Sequence, residues 1–273
     1  LITNDNKIVG NSYSILLDRD LVLNENEILY FTDNTIINGQ GHNLILGHRA
    51  QILVDSTSTL TLRNLTVINT LNTNSQPAIR CLDWYSKLAL DNVEFSLNDD
   101  FYFNNGQMFI YNDFVFTGTS EFVYTSVLPS YILPHSTLYF DKDTSFKYYP
   151  STTDKTLIKM QDESSNIYFD GCTLKSTFTG LQLTTGNVYF DNKVNVTSAA
   201  TLDIKDLNSV DTTAVSNSSY AAAWSPDGRY LAIGNNGQAN RLYRLDGQIL
   251  TPVSSTTEED STLSVAWTPD GKY

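Results

Sequence analysis

Short runs of alternating apolar and polar residues dominate the chain up to about residue 207. Residues 59–67 (TLTLRNLTV) are typical: two alternating runs are joined by a single asparagine, Asn64. Alternation with period two predicts β-strands with one buried side, and the runs are too short for helices. Clusters of Asp, Ser, Thr and Asn between the runs predict tight turns. This part of the chain is therefore expected to be all-β.

One pattern, x-apolar-x-apolar-x-Asn-x-x-apolar, recurs along this region. Copies begin at residues 28, 59, 87, 107, 137, 166 and 187. A period of roughly 20 to 50 residues indicates a repeat architecture. With three short strands in each period, the repeats predict a parallel β-helix in which every strand pairs with its equivalent one coil on. The residues expected to stack inside are Leu60, Leu88, Met108, Leu138, Ile167 and Val188.

Residues 35–46 (TIINGQGHNLIL), followed by TLTLRNLTVIN, resemble the right-handed β-helix repeats of the pectin-lyase-like superfamily. The one-residue turn at Asn64 resembles the asparagine ladder of that family, and such a bend needs a positive φ, which Asn tolerates best after Gly. The ladder is expected to continue through Asn92, Asn112 and Asn192, with Gly171 in one coil. The resemblance implies a right-handed parallel β-helix, the domain 1–207. The superfamily contains lyases, hydrolases, adhesins and capsule-binding proteins, so function stays open.

The chain changes character after Leu207. Residues 208–219 are poor in apolar side chains and are predicted to be a linker. The segment AAAWSPDGRYLAIG is then partly repeated as SVAWTPDGKY, with Trp224 and Trp267 in equivalent positions. The Pro-Asp-Gly sequences at 226–228 and 269–271 predict hairpin turns. These features resemble the WD-repeat β-propeller family and imply incomplete antiparallel blades over 220–273, with the remaining blades expected in a longer protein.

The charge of the chain narrows the range of partners. Only 17% of the residues are charged, and the formal net charge is −13. Nucleic acid backbones and anionic lipid surfaces would be repelled, so neither is an expected partner. No apolar run approaches the roughly 18 residues of a membrane-spanning helix. No membrane insertion is expected.

The tripeptide Tyr-Phe-Asp occurs three times, beginning at Tyr139, Tyr168 and Tyr189. The phenylalanines are expected inside, and the residue before each of them is expected to point outward. In the repeat alignment the outward column comprises Phe109, Tyr139, Tyr168 and Tyr189. Such a column is either a stacking ladder that stabilises the sheet or a binding surface for sugar rings or a protein segment. Residues 117–136 are interpreted as an insert and are a candidate cover for this column.

The aspartates of the same tripeptides form a second column of Asp141, Asp170 and Asp191. Like charges directly opposite each other in a sheet are destabilising, so partners are needed. Two alternatives remain: the carboxylates cap amide groups of the turn, or they hold a hard cation such as Ca²⁺. No other cofactor is expected.

Catalytic signatures are scarce. The pair Asp99–Asp100 is a candidate for paired-carboxylate hydrolysis, but no accompanying pattern follows it, and His42, His48 and His135 are scattered. The favoured function is a non-catalytic surface or secreted protein, a structural stalk that binds a polysaccharide or a protein. The alternative is a carbohydrate-active lyase or hydrolase whose active coils are degenerate or lie outside this chain. An extracellular or cell-surface location is expected in either case.

Overall fold

The computed structural model is all-β over the residues that it describes. These are residues 2–4, 7–10, 13–69, 78–176, 180–192, 194–197, 202–204, 219–226, 228–235, 240–246, 249–256 and 264–268. None of them is helical, so no candidate for a membrane-spanning helix occurs among them. The chain divides into two compact units, Leu1–Leu207 and Asn208–Tyr273. The first is a parallel β-solenoid of about seven turns and the second is an antiparallel sheet of four strands, which confirms the predicted fold class.

The strands of the first unit are β1 (Ile2–Asn4), β2 (Lys7–Gly10), β3 (Tyr13–Leu16), β4 (Leu21–Leu23), β5 (Ile28–Phe31), β6 (Thr35–Asn38), β7 (Asn43–Leu46), β8 (Gln51–Val54), β9 (Thr59–Asn69), β10 (Ile79–Cys81), β11 (Lys87–Leu97), β12 (Phe101–Phe103), β13 (Gln107–Gly118), β14 (Glu121–Tyr124), β15 (Ser130–Ile132), β16 (Thr137–Phe140), β17 (Ser145–Tyr148), β18 (Ile158–Met160), β19 (Asn166–Asp170), β20 (Thr173–Ser176), β21 (Leu181–Leu183), β22 (Asn187–Asp191), β23 (Asn195–Val196) and β24 (Leu202–Ile204). The strands of the second unit are β25 (Ser219–Trp224), β26 (Tyr230–Asn235), β27 (Arg241–Asp246) and β28 (Ile249–Ser255).

The solenoid has three faces, and each coil contributes one strand to each face. Face one contains β3, β6, the first halves of β9, β11 and β13, then β15 and β18. Face two contains β4, β7, the second halves of β9, β11 and β13, then β16, β19 and β22. Face three contains β2, β5, β8 and β10, then β12, β14, β17, β20 and β23. All of these strand pairs are parallel.

Inward-pointing phenylalanines form the core of the upper coils. On face two, register places Phe95, Phe116, Phe140, Phe169 and Phe190 in one column. The ring centres of Phe140 and Phe169 lie 5.6 Å apart, and the two ring planes are nearly parallel, with an angle of 5° between them. Across the interior, Phe146 of face three lies 4.7 Å from Phe140. The repeated Phe of Tyr-Phe-Asp is therefore explained by this column. In the coils that precede Phe95 along the chain, the equivalent positions are aliphatic.

The repeat alignment assigned several strands to the wrong face. The copies beginning at 59, 87 and 107 lie on face one, those beginning at 137, 166 and 187 lie on face two, and the copy beginning at 28 lies on face three. The strand pairing in the structure departs from the sequence repeat alignment at β13. Its first half pairs with β15, so that Phe109 lies beside Tyr131, and its second half pairs with β16, so that Val115 lies beside Tyr139. Residues 117–136 are not an insert, since they contain β14 and β15.

A shared turn chemistry accounts for the error. A buried serine precedes the strand in STLTL, SKLAL, STLYF and SNIYF, beginning at Ser58, Ser86, Ser136 and Ser165. The hydroxyl of Ser86 donates to the carbonyl of Asp55 at 2.9 Å, between faces three and one. The hydroxyl of Ser165 donates to the carbonyl of Leu133 at 3.0 Å, between faces one and two. Because both corners satisfy a carbonyl in the same way, they produce the same local sequence.

The predicted inward residues lie inside, but in two columns. Leu60, Leu88 and Met108 stack on face one, and Leu138, Ile167 and Val188 stack on face two. All are at most 2% exposed except Val188, which is partly buried on β22, the last strand of its ladder. The predicted burial of these residues is confirmed, but the prediction that all six form a single stack is wrong.

The asparagine turns also form two separate columns. Asn64, Asn92 and Asn112 have φ values of 49°, 54° and 54° and bend the chain from face one to face two. The amide of Asn92 donates to the side-chain oxygen of Asn64 at 2.9 Å. Asn192, with φ of 50°, and Gly171, with φ of 62°, belong instead to the corner between faces two and three. The positive φ angles are confirmed, but a single ladder through Asn192 is wrong.

The second unit is a meander of β25, β26, β27 and β28. In the first hairpin Gly228 has a φ of 67°, and the amide of Ser225 donates to the carbonyl of Tyr230 at 2.8 Å. Asp227 and the second predicted turn, 269–271, lie outside the described residues. The indole of Trp267 donates to the carbonyl of Ala223 at 2.9 Å.

The Phe140→Ala variant tests the aromatic column. Removing a fully buried ring between two others should cost about 3–5 kcal/mol of the free energy of unfolding. Urea-induced equilibrium unfolding followed by circular dichroism measures this. Phe190→Ala is the control, because Phe190 is 48% exposed at the end of the same column and its loss should cost less than half as much. Equal losses would contradict the proposed core.

Candidate functional site

Three tyrosines form the outward column of face two. Tyr139, Tyr168 and Tyr189 are paired in register. The ring centres of Tyr139 and Tyr168 are 6.0 Å apart at 35°, and those of Tyr168 and Tyr189 are 4.1 Å apart at 12°. Tyr168 therefore lies between the other two rings and is stacked face to face on Tyr189.

Phe109 does not belong to this column. Its ring stacks on Tyr131 of face one, with centres 5.2 Å apart at 20°, and the ammonium group of Lys87 lies 5.8 Å from its centre. The prediction of one aromatic column from Phe109 to Tyr189 is wrong, because Tyr139 lies above Val115 and not above Phe109. The four rings belong to two different faces of the solenoid.

The stacking geometry favours a ladder over a sugar platform. A sugar ring packs against the flat face of an aromatic ring, whereas stacked tyrosines present their edges to solvent. Within the column Tyr189 is exposed, at 41%, whereas Tyr139 and Tyr168 are half-buried. It stays a prediction that a ligand binds to Phe109, Tyr139, Tyr168 and Tyr189. Of these side chains, Tyr189 is the most accessible to solvent.

Two of the carboxylates at the end of face two accept hydrogen bonds, Asp170 from neighbouring coils and Asp191 from its own turn. Asp170 accepts hydrogen bonds from the hydroxyl of Tyr139, at 2.5 Å, and from the side-chain amide of Asn192. These bonds lower the pKa of Asp170, and the same contact raises the pKa of Tyr139. Asp191 accepts the backbone N–H of Asn192 at 2.7 Å.

Capping is thus the interpretation that the aspartate contacts favour. Two of the three carboxylates, Asp170 and Asp191, accept hydrogen bonds at the turn. Within the described ranges, no three His, Cys, Asp or Glu side chains are close enough together to hold a metal ion. A Ca²⁺ site at Asp141, Asp170 and Asp191 has no support from these contacts.

A shallow groove of about 440 Å³ runs across the coils beside the bend between faces one and two. It is lined by Gln40, Gly41, Asn64, Leu65, Thr66, Asn92, Val93, Glu94, Asp113 and Val115. Thr66, Glu94 and Val115 are outward neighbours in register below Tyr139. The groove therefore lies along the solenoid axis and can accommodate an extended ligand.

The groove was not recognised in the sequence because of a β-bulge. Asp91 pairs with Tyr111, but Val93 pairs with Phe114, so β13 has one residue more than β11 at this bend. The bulge shifts Asp113 and Val115 by one position relative to the repeat pattern. The extra residue in QMFIYNDFVF, compared with KLALDNVEF, was the available signal.

The Asp99–Asp100 pair is not among the groove-lining residues. Asp100 accepts the backbone N–H of Glu121 at 2.9 Å and the hydroxyl of Tyr102 at 3.3 Å, which is a structural role. Burial, followed by the charge of Asp100, raises the pKa of Asp99, and the charge of His48 opposes this shift.

His42 and His135 have contacts of their own. The Nδ1 atom of His42 lies 3.8 Å from a carboxylate oxygen of Asp20. The backbone N–H of His135 donates to the hydroxyl of Ser164 at 2.8 Å, and its φ of 57° places it in a tight turn. Neither histidine lines the groove.

Comparison with protein-family models, with curated proteins and with solved structures finds no match. The resemblances to pectin-lyase-like repeats and to WD repeats therefore rest on the residues of this chain. The functional argument rests on the fold and on the contacts described above.

Tyr139→Phe tests the capping of Asp170. Without the hydroxyl donor, the pKa of Asp170 should rise toward its ordinary value of 3.8. The stability contributed by a lowered pKa is present above the ordinary value and is lost as pH falls through the folded-state pKa. The variant should therefore lose stability at neutral pH relative to strongly acidic pH. A carboxyl NMR titration measures the pKa directly. Tyr168→Phe is the control, and an unchanged Asp170 titration in Tyr139→Phe would refute the contact.

Proposed function

We propose that the solenoid is a non-catalytic scaffold of a surface or secreted protein, a stalk whose outer surface binds a carbohydrate or protein ligand. The observation that carries this proposal is the engagement of outward-facing carboxylates in bonds between coils. A hydrolase needs carboxylates that are available to protonate or attack a substrate. Groups already committed to a neighbouring coil serve the stability of the sheet instead.

Asp91 illustrates this commitment on face one. Its Oδ2 atom accepts a hydrogen bond from the Nε atom of Arg63 at 2.6 Å, in the coil below. Its Oδ1 atom accepts from the amide of Asn112 at 2.7 Å, in the coil above. A single carboxylate thus joins three successive coils.

Glu121 has the same role on face three. It lies between Lys147, at 3.4 Å, and Lys175, which are directly opposite each other on neighbouring strands. Burial alone would raise the pKa of Glu121, but the two lysines lower it overall. The carboxylate therefore relieves the repulsion between two stacked cations and joins three coils.

The proposal extends to two family assignments, each supported by a feature of the architecture. The three-strand coils and positive-φ asparagine turns support a pectin-lyase-like solenoid. The four-stranded meander with its Pro-Asp-Gly turn has the strand number of one propeller blade. We include both in the proposal: a β-helix followed by a sheet like one blade of a divergent propeller.

A carbohydrate-active enzyme is the second candidate function. The observation in its favour is Asp99, whose pKa is raised and which lies next to Asp100. A carboxyl group with a raised pKa that works with a second carboxyl group is typical of the general acid of glycosidases. Asp100, however, already accepts two hydrogen bonds within the fold.

A cleavage assay with the intact chain separates the two functions. Neutral and anionic polysaccharides are incubated with the protein, and reducing ends and unsaturated products are measured over time. The scaffold proposal predicts no product above the heat-denatured control. Product formation that disappears in Asp99→Asn, while the thermal midpoint is unchanged, would replace the scaffold by the enzyme.

A further inference from the structure

Two neighbouring aromatic side chains project from the turn between face three and face one. Trp84 is 61% exposed and Tyr85 is 68% exposed, which makes them the most exposed aromatic residues that the structure describes. They lie between β10 and β11. Large exposed apolar side chains side by side mark interaction sites more often than isolated ones do.

The turn that carries them is held rigidly. One carboxylate oxygen of Asp83 accepts the backbone N–H groups of Tyr85 and Ser86, at 2.8 and 2.9 Å. The hydroxyl of Ser86 also donates to the carbonyl of Asp55, in the turn of the coil below. The hydroxyl of Ser56, in that lower turn, donates to the second oxygen of Asp83. The pair is therefore presented on a preorganised backbone, which lowers the entropic cost of binding.

The two rings differ from the tyrosine ladder in what they offer a ligand. Tyr168 lies between its neighbours and is stacked on Tyr189, as described above. Within the described residues, neither Trp84 nor Tyr85 stacks on another aromatic ring. An available ring face accepts the axial C–H groups of a pyranose, and the indole N–H and phenol hydroxyl provide hydrogen bonds to sugar hydroxyls.

The same edge of the solenoid carries further exposed apolar groups. Val127 and Tyr149 lie on the equivalent turns two and three coils on. With a coil rise of about 4.8 Å, they are about 10 and 14 Å from Trp84 along the axis. That distance is comparable to two or three linked sugar rings.

The charges at this edge select against acidic polymers. The chain carries a net charge of −13, and Asp83 and Asp55 lie in the turns at the site itself. Glu121 offsets one of the two lysine charges that are stacked on face three, and the chain as a whole stays strongly negative. A polyuronate or a sulfated glycan would be repelled, whereas a neutral glycan would not.

We infer that Trp84 and Tyr85 form a binding subsite for a neutral polysaccharide that lies along the edge between faces three and one. This inference rests on the proposed scaffold function and gives it a ligand class. The rings of Trp84 and Tyr85 are the main contacts. Tyr149, whose ring centre lies 4.9 Å from the ammonium group of Lys147, extends the site toward the later coils.

Affinity electrophoresis in native gels tests the site with the intact chain. The probes are β-glucan, xylan and galactomannan as neutral polysaccharides, and polygalacturonate as the anionic one. At least one neutral polysaccharide should retard the protein, and polygalacturonate should not. Trp84→Ala should weaken binding at least tenfold, Trp84→Phe should retain most of it, and Tyr149→Ala should have a smaller effect.

Trp224→Ala is the matched control, because Trp224 is an exposed tryptophan of the second unit and its loss should leave retardation unchanged. Identical circular dichroism and thermal midpoints must accompany the comparison. Retardation by a neutral glycan that survives Trp84→Ala overturns the subsite but leaves the scaffold function standing. The glycan assignment is overturned if no neutral probe retards the protein. It is also overturned if the protein self-associates and Trp84→Ala abolishes this, since the pair would then bind a second copy of the chain. Failure of the scaffold function itself would appear separately, as product in the cleavage assay.

Discussion

Hydrogen bonds between coils are the interaction on which the rest of this structure depends. The N–H of Lys87 donates to the carbonyl of Ser58 at 2.9 Å, and the N–H of Asn166 donates to the carbonyl of Ser136 at 2.8 Å. Since the strands are parallel and in register, each side chain lies directly beside its equivalent one coil on. Columns of like residues follow: phenylalanines inside, tyrosines outside and asparagines at the bends.

In-register stacking is favourable for rings and amides but unfavourable for charges. The columns of the upper coils show how the cost is offset. Asp170 is capped by Tyr139 and Asn192, and Lys147 and Lys175 share Glu121. These polar groups thereby join neighbouring coils. The groove and the exposed aromatic surface at the turn of Trp84 are the features on which the proposed ligand binding rests.

Local features of the fold could be predicted from the sequence because they obey local rules. Alternation identified the inward positions of Leu60 and Ile167, and the need for positive φ identified Asn64 and Asn192. The assignment of strands to faces could not be predicted in the same way, since all three faces alternate.

The error at the aromatic column has a specific physical source. Serine-capped turns begin strands at two different corners, so the copies beginning at 87 and 166 look equivalent although they lie on different faces. The bulge in β13 and the short strand β15 then concealed the true partner of Phe109, which is Tyr131. The exposure of Trp84 was also hidden, because a turn residue has no pattern that reports its burial.

Cysteine cross-linking of neighbouring strands measures the coil register most directly. Outward residues beside each other on adjacent parallel strands have Cα atoms about 4.8 Å apart, within the range of a disulfide. The double variant Val115→Cys with Tyr139→Cys should therefore form a disulfide on mild oxidation, whereas Phe109→Cys with Tyr139→Cys should not. Cross-linking of the second pair without the first would show that the coils are stacked in the register of the repeat alignment, and it would contradict the structure presented here.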